Sequence, residues 1–296
     1  MKDIIYEFLD YISLERKYSN NTEINYEIDL FKYDEYLTKE KKNYLLINYQ
    51  DISKYIVYLR KANYLPSSIN RNLSTLRSFY NFLERKEIIN NNPFNYIKNI
   101  KQEKKLPNYF KYNEFITMLE TLNDDHPLNV RNRLILELLF ATGIRVSELV
   151  NIKINNIDIG LRQIKVSGKG NKERIVYFGS YCEDAIKNYF NNARDILLKD
   201  KISPYLFINN RGGNLTDRGI RLIIDNIIKA SALKIKITPH TFRHSFATIM
   251  LNEGCNIKSV QELLGHVSIN TTSIYTHLTN EEIRRVYLNA HPRAKK

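Results

Sequence analysis

Between Gln163 and Phe178 the chain reads QIKVSGKGNKERIVYF, and this stretch decides what kind of fold the sequence describes. Two short strand-like runs flank a turn that holds Gly168 and Gly170, the signal of a β-hairpin. The hairpin closes a strand-rich patch that begins near Ile157. Elsewhere the apolar residues recur at three-to-four spacing, the period of helices that bury one face. The expected fold class is therefore mainly α with a small β-sheet.

Around the hairpin, helices are expected at about 113–122 and 128–141 on one side, and at about 181–199, 217–230, 239–252, 258–264 and 280–289 on the other. Gly254 and Gly265 stand where helix C-termini favour a residue tolerant of positive φ. The run Thr279-Asn280-Glu281-Glu282 is a capping box that opens the last helix. Residues 1–99 read as all helical, with helices at about 3–14, 22–37 and 51–62. A fourth begins after Pro66 and Ser67 and runs to Arg85, with Ile69, Leu73, Leu76, Phe79, Tyr80 and Leu83 as its buried stripe. Helix formation stops in the run NNNPF around Pro93. The stretch KNIKQEKKLP then lacks an apolar face and ends in proline, so it reads as a linker. Two domains follow, 1–97 and 108–296, joined by 98–107.

The chain has 296 residues, 43% of them apolar, enough for a substantial core, which excludes a short disulfide-stapled peptide and a disordered tail. Forty-five Lys and Arg against 32 Asp and Glu give a net charge of +13, and both sides of the linker are basic. That balance favours a polyanionic partner, nucleic acid first. No long basic amphipathic segment offers an apolar face to a membrane surface. Asp3, Glu7 and Asp10 interrupt the start, so no secretory signal is expected. The most apolar stretch, LILELLFATGI from Leu134, is interrupted by Glu137 and is far short of the roughly 20 residues that span a bilayer. A cytoplasmic location is expected. Cys182 and Cys255 lack C-x-x-C spacing, which disfavours a structural zinc site or a disulfide framework.

Several fragments carry candidate chemistry. In TGIRVSEL, Arg145 begins a helical turn and Glu148 lies three residues on, on the same face. Alone, the two read either as a surface ion pair or as an anion-binding arginine that Glu148 orients. Thr238 can cap a helix begun by Pro239, which puts His240 and Arg243 of HTFRHSFATIML one turn apart, a titratable base beside a guanidinium fork. His240 and His244 stand four apart, but the segment has neither H-E-x-x-H nor any carboxylate, so no metal is expected. Lys169, in the turn SGKGNK, belongs to no G-x-x-x-x-G-K-[ST] loop and alone reads as a solvated turn residue. In LLGHVSINTTSIYTH, His266 follows Gly265 and Tyr275 comes nine residues later. One tyrosine among 21 is by default a packing residue.

Their order along one domain, Arg145, Lys169, His240 with Arg243, His266, Tyr275, resembles the active site of the tyrosine recombinases, the phage integrase family, and in particular its bacterial Xer type. The resemblance covers nearly the whole chain. The front half, with SSINRNLSTLRSFYNFL, resembles that family's helical core-binding, SAM-like domain. The back half resembles its α+β catalytic domain, and AHPRAKK resembles the Xer C-terminus. All six active-site positions hold the residue types the family uses. The resemblance implies cleavage of a DNA strand by Tyr275, giving a 3′-phosphotyrosyl link and a free 5′-hydroxyl without metal or other cofactor. The residue types suit that chemistry. Arg145 and Arg243 can hold the charge that builds on the nonbridging phosphate oxygens, and His266 can add a hydrogen bond. His240 is the candidate general base for the phenol, Lys169 the candidate acid for the departing 5′-oxygen, and Glu148 an orienter of Arg145.

On the front domain, Ser67, Asn70, Arg71, Ser74 and Arg77 lie at helical spacing on a face without acidic residues, which suits DNA contact and would otherwise be an ordinary solvated face. The resemblance also implies a homo- or heterotetramer of recombinase protomers on two duplexes, with strand exchange through a Holliday junction. The last helix can dock into a neighbouring protomer or pack back on its own domain. Chromosome-dimer resolution at cell division, with a septal DNA translocase as an activating partner, is the expected job. An integrase of a mobile element would use the same six residues. A type IB topoisomerase shares the chemistry but resembles the rest of the chain poorly. A noncatalytic DNA-binding protein would have no use for the full set, and a metal-dependent nuclease would lose activity to a chelator.

Overall fold

The computed structural model describes residues 1–14, 20–101, 109–168, 173–235, 237–265 and 279–295. By its contacts the chain divides into two units, Met1–Lys105 and Leu106–Lys296. Most of the expected linker, and with it Lys169, His266 and Tyr275, lies outside the described residues.

In the first unit, α1 (Lys2–Leu14), α2 (Asn20–Lys39), α3 (Tyr49–Lys61) and α4 (Pro66–Arg85) follow the expected order. Every residue of the expected stripe on α4 is buried, joined by Asn72, Thr75 and Phe82. An aromatic core of Phe8, Tyr33, Tyr55, Phe79, Tyr80 and Phe94 fills the space between the helices. Asp29 on α2 is buried as well, and its carboxylate accepts from Thr75 Oγ1 at 3.0 Å and pairs with Arg71 at 2.8 Å.

The segment after Pro93 is stitched back across α4. Arg77 donates to the carbonyls of Phe94 (3.2 Å) and Ile97 (2.9 Å), and the Asn70 amide exchanges two hydrogen bonds with the Ile100 backbone at 2.9 and 2.8 Å.

The second unit is built around α6 (Pro127–Thr142), preceded by α5 (Tyr112–Glu120). From Leu134 to Thr142 every residue of α6 is buried, the mark of a helix enclosed on all sides. The helix ends on Gly143 at φ 56°, where a Cβ would fall 2.8 Å from Leu264 and 2.9 Å from Phe246. Only glycine lets α6 stop this close to its neighbours.

A short helix, α7 (Val146–Val150), leads to the sheet of β1 (Ile157–Asp158), β2 (Gln163–Ser167) and β3 (Glu173–Tyr177), antiparallel in the order β1-β2-β3. The β2–β3 hairpin is thus formed as its sequence predicts. Six helices follow the sheet among the described residues: α8 (Ser180–Asn192), α9 (Arg194–Leu198), α10 (Asp217–Ala230), α11 (Pro239–Asn252), α12 (Ile257–Leu264) and, last, α13 (Asn280–Ala290). The single helix expected at 181–199 is broken at Ala193, where φ is −141°. There Arg194 turns inward to donate to the carbonyls of Ser203 (2.8 Å) and Tyr205 (2.9 Å), which stand beyond the helix end.

The final helix packs on its own domain, the second of the two arrangements its sequence allows. Tyr287 and Ala290 join Phe246, Met250, Leu263 and Leu264 in one cluster. Beyond α13 the chain is anchored harder still. His291 stacks on Tyr287, Arg293 forms a buried ion pair with Glu137 of α6, and the Arg293 guanidinium lies 3.9 Å from the Tyr181 ring. Among the described residues no helix is long and apolar enough to cross a membrane.

Candidate active site

Two helices of the second unit end in glycine at the same place. Gly143 closes α6 and Gly265 closes α12, both with positive φ. The C-terminal turn of a helix leaves carbonyls unpaired and carries partial negative charge. Arg243, on α11, meets both ends: Nη1 donates to Gly143 O at 2.8 Å and Nη2 to Leu264 O at 2.6 Å. The sequence around Arg243 places it there, because Thr238 caps α11 as expected, with its hydroxyl accepting from the Thr241 N–H, and Pro239 takes the first turn. His240, one turn before Arg243, is exposed.

Arg145 sits at the N-terminus of α7, where a cation meets the positive end of the helix. Glu148 resolves the conflict. Its carboxylate accepts from the Arg145 backbone N–H at 2.9 Å and from the Arg145 guanidinium at 2.9 Å. Glu148 is itself 3% exposed, so its charge needs more than one partner. The further partner is Arg174 of β3, whose Nη1 and Nη2 bond both carboxylate oxygens, at 2.6 and 2.9 Å. Burial would raise the Glu148 pKa, but the hydrogen bonds from Arg174 and from the Arg145 backbone and side chain carry it below the ordinary value.

Two guanidiniums bond one carboxylate and the charge of a third, Arg243, acts on the same group, leaving a local excess of two positive charges. Arg243 registers that excess: burial first, then the charges of Arg145 and Arg174, lower its pKa to about 10. A group pushed toward losing its proton by like charges is relieved when an anion arrives. The Arg145 side chain, 38% exposed, gives the cluster an open side. The arrangement can take a phosphate or another compact oxyanion, held by guanidinium forks.

Of the expected catalytic set, the structure brings Arg145, Arg243 and Glu148 together and puts His240 on the helix that carries Arg243. Lys169, His266 and Tyr275 lie outside the described residues, with Gly168 and Gly265 as their described neighbours in sequence. Arg174 was absent from the expected set, yet its signal is present in the hairpin. It pairs across the ladder with Val166, and Val176 pairs with Ile164. Val166, Ile164 and Val176 are all buried, so alternation places an arginine on the inward face of the sheet.

On the first unit, Ser67 and Ser74 are exposed on α4. Arg71 is shared with Asp29, and Asn70 and Arg77 are spent on the backbone of 94–100.

Residues 108–282 match the phage integrase family, and residues 5–87 match the N-terminal SAM-like domain of phage integrases. The chain is 42% identical over 296 residues to the tyrosine recombinase XerC of Staphylococcus haemolyticus (strain JCSC1435), covering 100% of this chain and 99% of that relative. It is also 42% identical over 291 residues to the XerC of Anoxybacillus flavithermus (strain DSM 21510 / WK1), 97% of each chain. Among solved structures it is similar to the XerH site-specific recombinase bound to difH substrate in a pre-cleavage complex, with TM-score 0.68, 25% identity and coverage of 89% of this chain and 78% of that one. The XerH post-cleavage complex with palindromic difH shares the fold at TM-score 0.73 and 22% identity, over 99% of this chain and 86% of that one.

Proposed function

The chain belongs to the phage integrase family, and from that premise we propose that it is a site-specific tyrosine recombinase, an enzyme that cuts and rejoins DNA strands through a tyrosine. The observation that carries this reading is the cluster of Arg145, Arg174 and Arg243 around the single carboxylate of Glu148. A phosphodiester under in-line attack gathers charge on its nonbridging oxygens, and fixed guanidiniums stabilise that charge where it forms.

In this mechanism the Tyr275 phenol oxygen attacks the scissile phosphorus and the bond to the 5′-oxygen breaks. His240 takes the phenol proton, and Lys169 gives a proton to the leaving 5′-oxygen. Arg145 and Arg243 hold the nonbridging oxygens with His266, and Glu148 fixes Arg145. The product is a 3′-phosphotyrosyl enzyme that a 5′-hydroxyl of the partner strand can resolve.

Ser67, Arg71 and Ser74 on α4 contact the DNA of the recombination site, while Asn70 and Arg77 shape the segment that follows. The protomers assemble as a tetramer on two duplexes and pass through a Holliday junction. Chromosome-dimer resolution in the cytoplasm at cell division, with a septal DNA translocase as activator, is the role this reading assigns, supported by the XerC names of its relatives.

The test is a nicked duplex carrying the site that the protein selects from a randomised library, incubated with the protein in EDTA. A covalent adduct on a denaturing gel, lost in Tyr275→Phe, is the expected result. Tight binding without an adduct, with or without a partner recombinase, would overturn the reading in favour of a noncatalytic DNA-binding protein.

A further inference from the structure

Arg174 stands outside the six active-site positions of the family pattern, yet it grips the carboxylate of the cluster with two hydrogen bonds. It is the one guanidinium that bonds both oxygens of Glu148, a geometry that fixes the carboxylate plane as well as its charge. Its other side lies against Gly265. A Cβ at that glycine would come within 2.6 Å of Arg174 Cδ and 2.9 Å of Nε. Nε is buried and has no hydrogen-bond partner among the described residues, and the side chain as a whole is 15% exposed. Arg145, by contrast, touches Glu148 with one nitrogen of its fork and is 38% exposed. The inner arginine locks the carboxylate, and the carboxylate holds the outer arginine toward the open side.

We propose that Arg174 is a positioning residue for strand cleavage: by clamping Glu148 between β3 and α7, and by filling the space beside Gly265, it sets the orientation in which Arg145 meets the scissile phosphate. The inference rests on the recombinase reading and goes beyond it by assigning a role to a residue on the hairpin strand. Lysine in its place keeps the charge but is a single ammonium that cannot bond both oxygens in the fork geometry. The clamp is lost while the electrostatics of the cluster stay nearly the same.

The experiment compares single-turnover adduct formation, DNA affinity and thermal stability for the wild type, Arg174→Lys, Glu148→Gln and the double variant, all full length, on the nicked duplex described above. Arg174→Lys is expected to slow cleavage roughly 10²-fold, the scale of an ångström-sized misplacement of a reacting group, with affinity within about twofold of wild type. Glu148→Gln is expected to slow it to a similar degree, and the double variant no further, because both changes break one clamp. Wild-type cleavage in Arg174→Lys overturns the proposal, as does a loss that tracks a fall in melting temperature. Losses that multiply in the double variant, together with weakened affinity, would make Arg174 a direct DNA contact instead. If Arg174→Lys does not fold, Glu148→Gln carries the test alone, and wild-type cleavage there is equally fatal. An adduct absent from the wild type itself would sink the recombinase reading, and the positioning role with it.

Discussion

The catalytic unit holds two buried arginine–glutamate clusters, and they differ in charge balance and in access. At Glu148, Arg145 and Arg174 bond one carboxylate with the charge of Arg243 nearby, and Arg145 opens to solvent. Between α6 and the C-terminal segment, Glu137 and Arg293 are 1% and 4% exposed and form one ion pair, Arg293 donating through Nε at 2.7 Å and through Nη2. The second cluster is neutral and closed, so it can only hold the chain end in place. The first carries an excess of positive charge on an open side, which suits it to an anion. The same residue types read as scaffold or as site according to their local charge balance and access.

The largest expected effect breaks the closed cluster. Glu137→Ala leaves Arg293 buried without its counter-charge and should cost about 3–5 kcal/mol, read as a large drop in melting temperature. Replacing both partners by apolar residues, Glu137→Leu with Arg293→Met, should recover most of it, and a double variant as unstable as the single one would count against a purely structural pair. Next comes the open cluster. Arg145→Ala should reduce single-turnover cleavage by roughly 10²–10³-fold while thermal stability stays near wild type, because Arg174 still holds Glu148. A melting temperature that falls as far as in Glu137→Ala would erase the distinction between the clusters.

On the first unit, Arg77→Ala removes a charged donor from two carbonyls and should cost about 1–3 kcal/mol. Ser67→Ala and Ser74→Ala should leave stability unchanged and weaken DNA binding, measured by titration at fixed salt. The smallest effect is a pH dependence centred on the closed region. Burial drives the His291 pKa from its ordinary 6.5 down to about 3, so the folded protein refuses a proton that the unfolded chain accepts. Stability should therefore fall as pH drops below 6.5, by roughly 1 kcal/mol between pH 6.5 and 5.5, and continue to fall toward pH 3. His291→Gln should flatten that slope in melting curves taken at the two pH values.

What could be read in the sequence follows the reach of each signal. The stripe of α4, the hairpin, the Thr238 and Thr279 caps and the Gly265 helix end are local patterns, and the structure has all of them. The break at Ala193 was not legible, because it depends on carbonyls of Ser203 and Tyr205 that periodicity does not bring near Arg194. Asn70 and Arg77 illustrate the same limit from the other side. Helical spacing shows that they share a polar face, but not that the segment after Pro93, which has no periodicity of its own, returns to cover it. At the site, Arg145 with Glu148 was visible as i, i+3 spacing, and Arg243 as a partner of His240 on one helix turn. Arg174 needed the sheet register, which assigns it to the inward face beside Val166 and Val176.

On the recombinase reading, the charge excess around Glu148 serves to meet a DNA phosphate. The most direct measurement compares cleavage of two nicked duplexes, one with an ordinary scissile phosphate and one with a neutral methylphosphonate there, by the wild type and Arg145→Ala. If Arg145 neutralises charge on a nonbridging oxygen, the deficit of Arg145→Ala should shrink to less than about tenfold on the methylphosphonate, from roughly 10²–10³-fold on the phosphate. An equal deficit on both substrates would contradict the account, because the arginine would then be acting on something other than the charge of the phosphate.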